Sequence, residues 1–178
     1  MLDKIILGLL QFGPHSSYSL QKAMEQSTSF FYGASQGSIS PALKKLVKAG
    51  LIQGQSQQDG GRKRIEYSLT AKGQEAFDSW VGSDFSVGRV RDDSLVRLFF
   101  LGHVAKSDRA TLINQYCDEL QEQKAALNDI VSGIEANLGG RSLTDVESFR
   151  MQTLQFGIAY YKFSIEWYKR LANEHQAT

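Results

Sequence analysis

The sequence predicts a mostly α protein. An N-terminal winged helix-turn-helix domain spans residues 1–82, a linker follows at 83–91, and a helical dimerisation domain with two long antiparallel helices occupies 92–178. Three observations lead there. Three segments of helical periodicity precede two short strand-like segments that flank the turn-rich DGGRKR at 59–64. Basic charge is concentrated in the same region: residues 36–72 carry 7 basic and 2 acidic side chains, whereas the whole chain has a net charge of +1. The second half holds two long apolar repeats at heptad spacing.

The first helix lies in LDKIILGLLQF, where Leu2, Ile5, Ile6, Leu9 and Leu10 recur at helical spacing before Gly13-Pro14 ends it. In SSYSLQKAMEQS the leading serines can cap a second helix whose apolar positions are Tyr18, Leu20, Ala23 and Met24. The third helix, in GSISPALKKLVKAGLI, places Ile39, Leu43, Leu46 and Val47 on or near one face and Gly37, Pro41, Lys44, Lys45 and Lys48 on the other. Proline is tolerated near a helix start, so Pro41 marks the front end and Gly50 the stop. LIQGQSQ and IEYSL then read as the strands of a β-hairpin. Thr70 opens a fourth helix, TAKGQEAFDSWV, with Ala76, Phe77 and Trp80 facing inward.

Beyond the connector GSDFSVGRVR, an apolar helix runs from about Asp92 to Val104 with acids at its positive end. Ser107 can cap the next helix, on which Leu112, Tyr116, Leu120, Leu127, Val131, Ile134 and Leu138 form a heptad-like seam. Gly139-Gly140 breaks it. Ser142 or Thr144 begins the last helix, Thr144 forming a capping box with Glu147. That helix carries two nearly opposite apolar faces. Phe149, Phe156, Tyr160, Phe163 and Trp167 line one; Met151, Leu154, Ile158, Tyr161, Ile165 and Tyr168 line the other. One antiparallel neighbour covers a single stripe, so a second partner is needed, and another copy of the chain supplies it.

Composition narrows the function classes. An apolar fraction of 42% is ordinary for a folded core, and the longest aliphatic run, IILGLL, is far short of the ~20 residues of a membrane span. The start MLDKI lacks the basic flank of a signal peptide, so a cytoplasmic protein without a membrane partner is expected. Cys117 is a single cysteine in a helical pattern and reads as a small buried residue. His15, His103 and His175 are scattered, with no second ligand at metal-site spacing, and no phosphate loop or nucleophile motif appears. No enzyme, metal or cofactor is expected.

ILGLL, YSLQKAM, GSISPALKKLVKAGLI, the GGRKR tip and YSLTAKG, in that order over residues 2–81, resemble the PadR family of bacterial transcription regulators. Residues 91–175 resemble the branch that includes virulence-gene activators, with its RDD-type helix and two long terminal helices. Where the family usually has a tyrosine before the third-helix proline, this chain has Ser40, so that tyrosine's DNA contact is not carried over. In related winged-helix proteins the third-helix cap falls at the position of Ser35, which would put Pro41 in the second turn; Ser38 is the alternative.

A helix in the major groove with a basic wing beside it supplies phosphate contacts and access to base edges. The candidate DNA-binding residues are therefore Ser38, Ser40, Lys44 and Lys45, with Gln36 able to read adenine, and Arg62, Lys63 and Arg64 on the wing. A homodimer on double-stranded DNA implies an inverted-repeat operator, with recognition helices about 34–36 Å apart or a multiple of that. The expected dimer face is Met151, Leu154, Ile158, Tyr161, Ile165 and Tyr168. The candidate pocket for a small aromatic effector is Phe156, Tyr160, Phe163 and Trp167. The alternative is a winged helix used only for protein contacts, for which the RKR triplet would serve no purpose.

Overall fold

The computed structural model describes residues 1–33, 35–59, 62–88 and 92–176, and of residues 36, 57–59, 62, 63 and 176 the backbone alone. The chain divides into two compact units, Met1–Gly88 and Arg89–Thr178.

In the first unit, helix α1 (Leu2–Leu9) tightens into a 3-10 turn at Leu10–Phe12 and stops at Gly13, whose φ of 128° suits only glycine. Strand β1 (His15–Ser16) leads into α2 (Ser17–Ser27). Ser16 caps α2 reciprocally. Its Oγ accepts the Ser19 N–H at 3.1 Å, while its own N–H donates to Ser19 Oγ at 2.8 Å. Helix α3 (Gln36–Lys48) starts after Ser35, so Pro41 lies in its second turn. Strands β2 (Ile52–Asp59) and β3 (Arg62–Leu69) form an antiparallel hairpin in register from Ile52↔Leu69 to Asp59↔Arg62. The sheet order is β1-β3-β2, through His15↔Tyr67. Helix α4 (Ala71–Val81) follows directly.

One core holds these elements. Ile6, Leu7, Leu20, Ile39, Leu43 and Leu46 are all fully buried, with Phe77 of α4 packed against them. Each such aliphatic side chain contributes roughly 1.5–3 kcal/mol by leaving water. On α3, Ala42 is buried while Val47 is exposed, so the apolar face is centred between Leu43 and Ala42 rather than tilted toward Val47. Tyr18 and Trp80 also differ from expectation. Tyr18 is exposed under Lys22, and Trp80 sits at the core edge with its ring 6.0 Å from Phe77.

In the second unit, α5 (Asp93–Phe100) ends in a 3-10 turn at Leu101–His103, and α6 (Lys106–Leu138) runs antiparallel to α7 (Asp145–Gln176). Ala105, not Ser107, stands at the α6 cap position, and the Ser107 hydroxyl bonds Asp108 instead. Gly139 (φ 57°) and Gly140 (φ 87°) close α6 in the left-handed region. The Thr144 box forms: Thr144 N–H donates to Glu147 Oε2 at 2.9 Å, and Glu147 N–H donates to Thr144 Oγ1 at 3.3 Å. Arg141 grips the same carboxylate through two bonds of 2.8 and 2.7 Å, and Arg141 with Thr144 holds the Glu147 pKa down to about 2.

Two expectations are corrected here. The α6 seam is buried at Ile113 and Cys117, one residue past Leu112 and Tyr116, and rejoins the expected line at Leu120 and Leu127. The reason is geometric: Ala110, Ile113, Cys117, Leu120, Lys124, Leu127, Val131, Ile134 and Leu138 alternate in steps of three and four, an even 3.5-residue repeat, whereas Leu112, Tyr116 and Leu120 step by four twice and run off that line. More important is α7. The face expected to meet a second chain is used within the chain, because Met151, Leu154, Ile165 and Tyr168 are buried, with Ile158 and Tyr161 half-buried beside them. Gly157, Ser164 and Ala172 lie buried on that side, and their small size lets α6 approach. The other face is exposed at Phe149, Phe156, Tyr160 and Phe163.

Among the described glycines of the first unit, Gly73 has the least room. A Cβ built there would stand 2.0 Å from the Leu51 carbonyl oxygen, whereas one at Gly37 meets nothing nearer than Ser35 Oγ at 3.8 Å. Gly73→Ala should therefore lower stability by about 1–3 kcal/mol, while Gly37→Ala should be neutral or stabilising by up to about 1 kcal/mol. Thermal unfolding of the two variants side by side checks this.

Candidate nucleic-acid interface

The buried line Ile39, Ala42, Leu43 and Leu46 fixes how α3 is turned. At 100° per residue, the direction opposite that line is shared by Gly37, Pro41, Lys44 and Lys48, and all four are exposed. Ser40 and Lys45 flank this ridge on either side, also exposed. Ser38 is exposed, but its hydroxyl donates to the Ser35 carbonyl at 2.8 Å. Ser35 itself makes no side-chain cap bond.

Lys45 is engaged. Its Nζ lies 2.6 Å from Asp3 Oδ2 of α1, an ion pair across 42 residues of sequence. Among the described residues no carboxylate pairs with Lys44 or Lys48, which leaves these two as the unopposed charges of the ridge. The sequence pattern puts Lys48 on this face without marking it as a contact residue; its place on the ridge gives it the same standing as Lys44. At the start of α4, Lys72 donates to the Ala49 carbonyl at 3.0 Å. The Thr70 hydroxyl lies 2.8 Å from the Gly50 carbonyl oxygen and accepts the Gly73 N–H at 3.0 Å, tying the end of α3 to α4.

On the wing, Arg64 projects from β3 with a guanidinium nitrogen 3.3 Å from Glu66, half-exposed. Gly60 and Gly61 of the tip, and the side chains of Gln36, Arg62 and Lys63, lie outside the described residues. The backbone places residues 62 and 63 at the distal end of the hairpin, opposite Asp59 and Gln58.

The helical unit has its own polar cluster. Asp92 caps α5 by accepting the Ser94 N–H at 2.9 Å, and its other oxygen accepts the Tyr160 hydroxyl at 2.8 Å. Ser94 Oγ lies 3.1 Å from the Tyr168 hydroxyl. Partial burial raises the Asp92 pKa, but the bonds from Ser94 and Tyr160 outweigh it, so the carboxyl lies below its usual range. Burial first, and then the Asp92 carboxylate, push Tyr160 up to about 12.

The four aromatics expected to line an effector pocket are not gathered into one. Phe156 and Phe163 project to solvent, Tyr160 is held by Asp92, and Trp167 packs edge-on against Tyr168 at 4.9 Å. A cavity of about 160 Å³ lies elsewhere in the unit, between Leu98, Leu101, Gly102, Arg109, Leu171 and His175.

A basic ridge on an anchored helix, a hairpin wing and a separate helical unit make up the architecture. The sequence profile of the transcriptional regulator PadR-like family matches residues 6–79, and that of the virulence activator α C-terminal domain matches residues 90–176. Residues 6–79 thus carry a PadR-like transcriptional-regulator domain.

Solved structures place this PadR-like chain beside Bacillus subtilis PadR in complex with operator DNA, at a TM-score of 0.85 and 20% identity over 98% of this chain and 97% of that one. The same protein in complex with p-coumaric acid aligns at a TM-score of 0.73 and 22% identity, covering 98% of each chain. The Vibrio cholerae virulence activator AphA aligns over 99% of both chains at 0.76 and 20% identity. At these identities the likeness establishes the fold. Among curated proteins no sequence matches significantly.

The Tyr160 phenol has a linkage consequence. Its folded-state pKa is raised from an ordinary value of 10.0, so the stability it contributes is full below about pH 10 and lost as pH rises through about 12. Tyr160→Phe removes the titration. The stability difference between the native chain and this variant should shrink between pH 10 and 12, as read from denaturation midpoints.

Proposed function

We propose that this PadR-like regulator acts in the cytoplasm as a homodimer that binds an inverted-repeat operator, laying α3 in the major groove and its wing along the flanking phosphate backbone. The observation that carries the reading is the ridge Gly37–Pro41–Lys44–Lys48. It is basic and exposed, and it is aimed away from the core by four buried residues on the opposite face. Binding, not catalysis, is the activity. Lys44, Lys48 and Arg64 contact phosphate, together with Arg62 and Lys63 of the wing, while Ser38, Ser40 and Gln36, beside the outward line of α3, are candidates for base edges.

The dimer follows from apolar surface. Phe149, Phe156 and Phe163 on α7, with Val96, Phe99 and Phe100 on α5, are exposed in a single chain. Monomeric proteins seldom leave that much aromatic surface in water. A second copy covering it carries the first unit of each chain to a two-fold-related position, which matches an inverted repeat. A small aromatic acid is the effector class for this reading, because a relative has been solved with p-coumaric acid. An interaction module without DNA binding is the competing class, and it would leave the ridge lysines without a role.

Selection of duplexes from a random DNA pool by the purified chain tests the proposal. The expected product is an inverted repeat; no enrichment under any salt condition would sink it. Replacing Lys44 and Arg64 by Ala should weaken all duplexes alike and flatten the salt dependence of log K by ~0.9 for each phosphate that is no longer neutralised. Filter binding at several salt concentrations reads this, and an unchanged slope would mean that neither side chain reaches a phosphate.

The two faces of α7 are separated by a matched pair of variants. Phe156→Glu with Phe163→Glu should leave the helix pair folded and give monomers in sedimentation. Ile165→Glu should cost about 3 kcal/mol or more, because it puts an unpaired charge inside the chain's own core. A stable dimer that survives both surface changes would show that the exposed stripe is not the interface.

A further inference from the structure

Within an α-helix each N–H is donated to the carbonyl four residues back. Pro41, in the second turn of α3, has no N–H, so the Gly37 carbonyl lacks its usual intrahelical partner. Residues four apart share a face, and Gly37 and Pro41 are both exposed on the line opposite the buried residues. Gly37 has no side chain to screen the carbonyl, and the space around its Cβ position is open to 3.8 Å. The most outward line of α3 therefore presents a hydrogen-bond acceptor beside an apolar ring.

We propose that Gly37 and Pro41 together read an A·T pair in the major groove, the Gly37 carbonyl oxygen accepting from adenine N6 and the Pro41 ring packing on the thymine C5-methyl. Adenine and cytosine both offer an exocyclic amine donor there, but only thymine carries a methyl, so a single A·T pair supplies both partners. A G·C pair has no methyl and turns the acceptors O6 and N7 of guanine toward a second acceptor. Pro41 and Gly37 are then specificity-determining positions in a helix whose side chains there, a hydrogen atom and a saturated ring, have no donor or acceptor of their own. The inference rests on the DNA-binding reading above.

Pro41→Ala is the informative change, because it restores the N–H to the Gly37 carbonyl and removes the ring at one stroke. The duplex selection is run in parallel with the full-length native chain and this variant, and thermal unfolding confirms that the variant is at least as stable. The expected result is one position in each half-site where the native preference for A·T over G·C falls at least about fivefold in the variant, with the other positions unchanged. Deoxyuridine in place of that thymine, which removes the methyl alone, should weaken native binding several-fold and leave the variant unaffected. Identical sequence preferences for the two proteins would overturn this inference while leaving the DNA reading intact, and so would native binding indifferent to deoxyuridine. A native chain that enriches no duplex overturns both.

Discussion

The burial of Ile39, Ala42, Leu43 and Leu46 is the constraint on which the rest of the first unit depends. These four side chains set the rotation of α3 about its own axis, and that rotation decides which residues meet solvent. A turn of one residue, 100°, would bring Lys45 to the front and swing Lys48 aside. The restraint comes from three sides. Leu7 and Leu20 press from α1 and α2, and Thr70 and Lys72 bind carbonyls at the α3 end. Gly73 lets α4 come against Leu51 closely enough to complete the frame. The basic ridge is thus a by-product of apolar packing on the other side of a single helix.

The second unit solves a different problem with the same physics. Two helices as long as α6 and α7, of 33 and 32 residues, bury one stripe each when paired. Helix α7 has two. Size decides which stripe faces α6: Gly157, Ser164 and Ala172 interrupt one of them and permit close approach, while the other is large aromatic surface apart from Thr153. Close packing favours the first for the intrachain contact and leaves the second for the proposed partner. Helix α5 has exposed aromatics of its own, since Leu98 and Leu101 pack against the core while Phe99 and Phe100 face solvent.

Local signals carry over into structure where their partners lie close in sequence. The Thr144–Glu147 box, the paired glycines after α6, the Thr70 start of α4 and the hairpin around residues 59–64 depend on partners within a few residues, and each stands where the pattern puts it. Strand β1 is invisible in the sequence because it is two residues long and exists only by pairing with β3, some 50 positions away. The Asp3–Lys45 and Asp92–Tyr160 contacts likewise span long stretches of chain, and neither has a local signature. The α7 face is a different case: heptad spacing marks both stripes equally, and the small residues on one of them are the distinguishing mark. In the candidate site, the charge density of residues 36–72 is legible from the sequence, but which lysines are already engaged is not.

That engagement changes how the charge of the ridge counts toward a polyanion. A lysine that comes to DNA from water displaces a condensed cation and takes nothing in exchange. Lys45 would instead leave behind the bared carboxylate of Asp3, which must then recruit a cation from solution or remain exposed to the field of the duplex. The two effects nearly cancel. On the proposed DNA-binding reading, Lys45 would therefore add little to the ionic-strength dependence of the complex. Two neighbouring lysines with the same formal charge play different physical parts, and a carboxylate at the third residue of the chain separates them.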